Sequence, residues 1–266
     1  MKITIFTSNQ RRHIFLINTF SKIAKEIFVI QECTTMLPGI KNGIYKKSKD
    51  FGKYFENVAK AEKKFFKKNT IEISRKCKLK LLPIQFGDIN HLKTKNIKEF
   101  LKSDIFIVFG TGYIKKQLCN FLIKKKTINI HMGISPYYRG SNCNFWAIQD
   151  NNPHLVGATI HLLDKKIDNG KILYHAISEY EKNPFVYSMS TVKSAIISLK
   201  KKIEKNKILK IKPIRYKKKN IRYSLKKEFT SKLAKNFLKK KIEKFNFKKN
   251  FNFIRPFILL RKDYFK

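Results

Sequence analysis

Short apolar blocks alternate with amphipathic stretches through the first 205 residues. Ile3 to Thr7 is a run of the kind that fills a buried strand. Phe28 to Gln31, Leu79 to Phe86, Asp104 to Phe109 and Thr127 to His131 repeat the pattern. Between them, residues 13–27 put Ile14, Ile17, Phe20, Ile23 and Ala24 on one helical face. Phe51, Tyr54, Phe55, Val58, Phe65 and Phe66 predict a longer helix whose aromatic face packs into a core. Residues 97–102 and 117–124 predict two shorter helices, and residues 33–43 a loop with Pro38, Gly39 and Gly43 as turn signals. Pro83 lacks a backbone N–H, so its strand is expected at a sheet edge or near a strand end. A helix over 142–150, strands over 156–163 and 172–177 and a helix over 184–205 complete the series.

This alternation argues for an α/β fold with a mostly parallel sheet flanked by helices on both faces. In such sheets ligands sit beyond the carboxyl ends of the strands. Residues 1–205 form that unit, and residues 206–266 read as a small basic C-terminal extension, with a hairpin over 208–223 and a helix near 229–247. From Lys205 onward there are 23 basic and 3 acidic residues.

Charge sharpens the picture less than its size suggests. The 266-residue chain has a formal net charge of +42, which invites a nucleic-acid or membrane-surface role. Its basic residues are 52 Lys against 8 Arg, whereas base reading favours the planar fork of Arg. Lys, Ile, Asn and Phe are abundant together, as an AT-rich coding bias produces. Residues 127–177 stand apart: four basic residues (Arg139, Lys165, Lys166, Lys171) face three acidic ones (Asp150, Asp164, Asp168). A near-neutral window in such a chain suits an enclosed, specific site. Cys33, Cys77, Cys119 and Cys143 are widely spaced without a CxxC pair, so free thiols are expected and no metal site. No apolar run reaches the ~20 residues of a membrane span. MKITIFTS lacks the pattern of a leader, so a cytoplasmic protein without membrane contact is expected.

Candidate chemistry concentrates in that window. Asn129 and His131 share one strand face because they are two positions apart. At a strand's carboxyl end, an amide donor beside an imidazole can hold an oxyanion. Gly133, Pro136 and Gly140 keep the following turn tight. Arg139 is read as a clamp for an anionic substrate group, next to Gly140. Asp168, in KKIDNGK, is either a turn residue or a carboxylate that orients His131 and favours its charged form. GTGYIK, residues 110–115, follows a strand, yet Lys115 replaces the third glycine of a dinucleotide loop and Asn129 stands where an acid should meet the ribose. NAD binding is therefore not expected, although the two glycines allow close backbone approach to a flat ligand.

INIHMGISPYYRG followed by SNCNFWAIQDNNPHLVGATIHLLDKKIDNGKIL resembles the signature region of the folate-dependent formyltransferases. The shared pattern is Asn129, His131, Pro136, Arg139, Gly140, Asp168 and Gly170, with His131 and Asp168 separated by 37 positions. Met132 and Gly133 replace the usual Pro-Ser, and the first strand lacks a glycine turn. The resemblance implies a Rossmann-like catalytic domain over 1–205 and formyl transfer from 10-formyltetrahydrofolate to a primary amine. It implies Asn129, His131 and Asp168 as catalytic groups, with no metal. It further implies folate contacts at Gly110, Thr111, Gly112, Tyr113, Leu163 and Asp164. An amino-sugar nucleotide is the first expectation for the acceptor, since a basic protein suits a diphosphate. Methionyl-tRNA, water as in a formyltetrahydrofolate hydrolase, and a non-catalytic basic binding module are the alternatives, and a homodimer is left open.

Overall fold

A computed structural model describes residues 1–34, 48–215, 220–245 and 253–265. Residues 35–43 of the predicted loop, 216–219 of the predicted hairpin and 246–247 of the predicted tail helix lie outside the described residues. Strands β1 (Lys2–Ser8), β2 (Glu26–Cys33), β3 (Lys78–Gln85), β4 (Ile105–Phe109) and β5 (Ile128–His131) form a parallel block. Helices α1 (Arg11–Phe20), α2 (Lys49–Phe65) and α3 (Lys116–Lys124) alternate with them. After β6 (Tyr138–Gly140) and α4 (Cys143–Gln149) come β7 (Ala158–Leu162), β8 (Ile172–Ser178) and α5 (Pro184–Glu204). Among the described residues the chain continues with β9 (Arg222–Ser224), α6 (Ser231–Leu238) and β10 (Phe257–Leu259).

The main sheet runs β10-β8-β7-β5-β4-β1-β2-β3, and β7 is antiparallel to both its neighbours. This is a mostly parallel, Rossmann-like arrangement. Side-chain alternation explains its two-sided burial. Ile105, Ile107 and Phe109 of β4 join one core with Leu16 and Ile17 of α1 and Ile196 of α5, whereas Phe106 and Val108 join Leu118 and Leu122 of α3 on the other face. Outer strand β3 is largely exposed, and Pro83 sits opposite Gln31 on that edge, as the missing N–H requires. Among the described residues no helix is long and apolar enough to cross a membrane.

Three expectations need correction. Helix α1 ends at Phe20, and β2 begins at Glu26 because its parallel register opposite Lys2 leaves residues 21–25 to make the turn. Residues 97–102 form two short 3₁₀ turns, Thr94–Ile97 and Glu99–Leu101. The predicted hairpin is replaced by two long-range pairings: Ile214 bridges Ile172, and β9 lies parallel to β6.

Described residues after 205 pack on this framework. β10 extends the sheet beside β8. Phe237 of α6 is fully buried, with Tyr54 of α2, Phe145 of α4 and Phe185 of α5 around it at ring separations of 5.6, 4.6 and 5.3 Å. Helix α6 stops at Leu238, and Ile242 then donates to the Lys182 carbonyl at 3.0 Å. Phe237→Ala is expected to lower unfolding free energy by ~3–5 kcal/mol. Urea titration followed by fluorescence checks this, and a loss well below ~1 kcal/mol would show that α6 adds little to the core.

Candidate active site

Parallel strands β4 and β5 end side by side, and antiparallel β7 pairs along β5. Asn129 and His131 therefore point from the same face of β5, with His161 of β7 directly opposite Asn129. The chain then turns sharply. Thr159 Oγ1 donates to the Gly133 carbonyl at 2.6 Å and accepts from the Ser135 amide at 2.8 Å, which pins the turn beneath His131. His175 ties the same turn to the chain's end: its Nε2 meets the Ser135 carbonyl at 3.0 Å, while Nδ1 accepts from the Ile254 amide at 2.9 Å.

Asp168 lies on the loop joining β7 to β8. Its backbone is left-handed, with φ +48°, a conformation aspartate tolerates better than most residues. Gly170 permits the loop's close return, because a Cβ there would lie 1.6 Å from the Leu162 carbonyl oxygen. The Asp168 side chain is turned inward. Oδ1 is 3.2 Å from His131 Nδ1, and Oδ2 accepts from the Gly140 amide at 3.1 Å.

The imidazole of His131 is only 7% exposed. Burial pulls its pKa down, but the Asp168 carboxylate and, after it, Cys143 more than reverse this, holding the ring well above the ordinary histidine value. For Asp168, burial pushes upward and the His131 charge outweighs it, leaving a pKa of about 2. The pair is thus an imidazolium–carboxylate ion pair. Nδ1–H faces Asp168, and Nε2–H rests 3.1 Å from the Tyr138 carbonyl oxygen.

His161 is a component that residue-by-residue reading of the sequence missed. It is 2% exposed, and burial lowers its pKa, so the ring is neutral. Nδ1–H donates to the Leu162 carbonyl at 2.8 Å, which leaves Nε2 to accept from Asn129 Nδ2 at 2.9 Å. The tautomer of one ring thereby sets the orientation of the amide, leaving the second Nδ2 hydrogen for a ligand. The available signal was the alternation in ATIHLL, which puts His161 on one strand face.

These groups line a cavity of about 590 Å³, a size that suits a small ligand. Gly110, Thr111, Gly112 and Tyr113 form one wall, with Leu163 and Asp164 beside them. Gly140 contributes backbone. Arg139 does not line the cavity: its Nη2 donates to the Ile167 carbonyl at 2.8 Å and its guanidinium stacks over Tyr223. Its Nε is buried without a hydrogen-bond partner among the described residues.

A further wall comes from the tail. Tyr223, Leu225 and Lys226 reach the cavity because β9 is fastened to β6. Arg222 grips Asp150 through Nε and Nη2, both at 2.9 Å, and stacks on Trp146. Gly140, at φ +91°, lies so close to β9 that a Cβ would fall 2.2 Å from the Ser224 carbonyl oxygen.

The Formyl transferase family matches residues 95–203. The matched region is similar to a formyl transferase domain, and it contains Asn129, His131, His161 and Asp168. Methionyl-tRNA formyltransferase from Synechococcus sp. (strain JA-3-3Ab) is 35% identical over 78 residues, which are 29% of this chain and 24% of that protein. The matched segment is thus about a quarter of the relative's length. Among solved structures, a 4-N formyltransferase from Francisella tularensis superposes with a TM-score of 0.52 at 21% identity, covering 85% of this chain and 77% of that one. The N-formyltransferase from Helicobacter canadensis, solved with folinic acid and dTDP-3-aminofucose, gives 0.51 at 14% identity, covering 86% and 72%. At these identities the superpositions show a shared fold.

The ion pair has a pH signature. His131 gains pKa on folding, so its stabilisation is complete below its ordinary value of 6.5 and is lost as pH rises through the folded value. Asp168 loses pKa, so its contribution is complete above 3.8 and is lost as pH falls toward about 2. Asp168→Asn should therefore cost most stability between roughly pH 4 and 6.5. It should also drop the His131 pKa below the ordinary range. Urea midpoints across pH and NMR titration of the ring check both, and an unmoved His131 titration would break the pairing.

Proposed function

We propose that the protein transfers a formyl group from 10-formyltetrahydrofolate to the amine of an amino-sugar nucleotide. The reading is carried by the buried His131–Asp168 ion pair beside Asn129, lining a cavity at the strands' carboxyl ends. The formyl transferase match over residues 95–203 supplies the reaction class.

The chemistry needs few parts. The acceptor's amine nitrogen attacks the formyl carbon, forming a C–N bond and a tetrahedral oxyanion. His131 Nε2–H leaves the Tyr138 carbonyl and donates to that oxygen, and the free Nδ2 hydrogen of Asn129 donates to it as well. The bond from carbon to the folate N10 then breaks. The amine gives up a proton and N10 takes one, with the His131–Asp168 pair next to the route. Because the pair is already charged and held, little reorganisation accompanies charge development. The donor's ring system lies against the backbone of Gly110 to Tyr113 and beside Leu163 and Asp164. The unpartnered Nε of Arg139 would serve an anionic group only after its guanidinium shifts from Tyr223.

A sugar nucleotide is favoured for the acceptor because fold relatives include the N-formyltransferase solved with dTDP-3-aminofucose, and because the cavity is small. Methionyl-tRNA is the second reading, supported by the Synechococcus relative and by the basic tail, whose Lys226 reaches the cavity. A tRNA acceptor would give a steep dependence on salt, and a sugar nucleotide a shallower one.

The test incubates the protein and 10-formyltetrahydrofolate with amino-sugar nucleotides, charged initiator tRNA, or water alone, and follows formylated product and released formate. A formylated amino-sugar nucleotide is expected. His131→Gln should cut its formation by about a hundredfold or more while tetrahydrofolate still binds. Binding with no transfer to any acceptor would make the chain a binding module.

A further inference from the structure

A second buried carboxylate, outside the reacting groups, organises one wall of the cavity. Glu32, near the end of β2, is fully buried, and among the described residues no cation pairs with it. Backbone amides surround it. Oε1 accepts from Gly87 at 3.0 Å and Ile89 at 3.4 Å, and Oε2 accepts from Gly112 at 2.5 Å. Burying an ionised carboxylate is costly unless its lone pairs are satisfied, and these donors do that without a counter-charge.

The donors come from two loops, one after β3 and one after β4, that are not neighbours in the sheet. Asn90 strengthens the same link: Nδ2 donates to the Tyr113 carbonyl at 2.8 Å, and Oδ1 accepts from the Lys115 amide at 2.7 Å. The backbone from 112 to 115 is thus held at three points by two side chains. Neither lines the cavity, whereas Gly112 and Tyr113 do. Gly112 lets the carboxylate lie against the backbone, since a Cβ there would stand 3.2 Å from Oε2. A loop with two glycines is otherwise loose, and ordering it on binding would weaken affinity.

We propose that Glu32, with Asn90, is a positioning residue that preorganises the Gly110–Ile114 loop for the folate donor. The proposal rests on the reading of this chain as a folate-dependent formyltransferase. It assigns Glu32 no part in the bond-making step.

Glu32→Gln keeps the shape and replaces one acceptor oxygen with an NH₂ group, so one of the two loops meets a donor where it needs an acceptor. Wild type and variant are titrated with tetrahydrofolate by calorimetry, and each is melted without ligand. The expected result is a Kd raised about tenfold or more, beyond anything the melting curves explain. A Kd within about twofold of wild type overturns the proposal. A lowered melting temperature with unchanged affinity does so too, since that outcome describes a purely structural carboxylate. If Glu32→Gln does not fold, Asn90→Asp, on a half-exposed turn, carries the test: it removes the donor to Tyr113 and keeps the acceptor for Lys115. Unchanged affinity there overturns the proposal as well. Failure of wild type to bind tetrahydrofolate would instead sink the functional reading. Amide exchange at Gly112, expected to quicken in Glu32→Gln while global stability holds, reads the clamp independently of any ligand, and unchanged exchange there overturns the clamp.

Discussion

The ion pair between His131 and Asp168 is the constraint around which this molecule is arranged. Two charges have left water, and each is tolerable only because the other is 3.2 Å away and further hydrogen bonds satisfy what remains. The surroundings serve that geometry. Gly140 gives its amide to Asp168, Tyr138 its carbonyl to His131, and Gly170 lets the loop fold back far enough to bring the carboxylate in. His161 beside the pair stays neutral, because burial opposes a second positive ring there.

The acidic residues of this chain are scarce, 18 against 60 basic ones, and several have architectural positions. Asp150 fastens Arg222 of the tail, Glu62 of α2 accepts from both the backbone and the side chain of Arg12, and Glu32 gathers two loops. The large positive charge is carried mostly by exposed lysines and leaves the core's electrostatics almost untouched, since exposed charges are screened by water and salt. This separation explains how a strongly basic chain can enclose a balanced site.

Much of the site was legible before the fold. Asn129 and His131 follow from two-residue periodicity at a strand end, whereas Asp168 reads equally as a turn residue and is singled out only by the family resemblance. The parallel core was legible because β1, β2 and β4 are apolar blocks separated by amphipathic stretches. The rest depends on long-range register. His161 in ATIHLL reads as one more strand residue until β7 is known to run antiparallel against β5. Glu32 is a lone acid in IQECTT, and only the meeting of two distant loops gives it partners. Strands β6, β9 and β10 have three residues each, too few for a periodic signal, and β9 is tied down by Arg222 on the distant Asp150.

The fastening of β9 to β6 has a consequence for how the cavity comes into being. Chain emerging from a ribosome up to residue 205 already contains Asn129, His131, His161 and Asp168, yet the side occupied by Tyr223, Leu225 and Lys226 is still missing. The enclosure is therefore finished only once residues 223–226 have joined the chain. Until then Asn129, His131, His161 and Asp168 lack that wall.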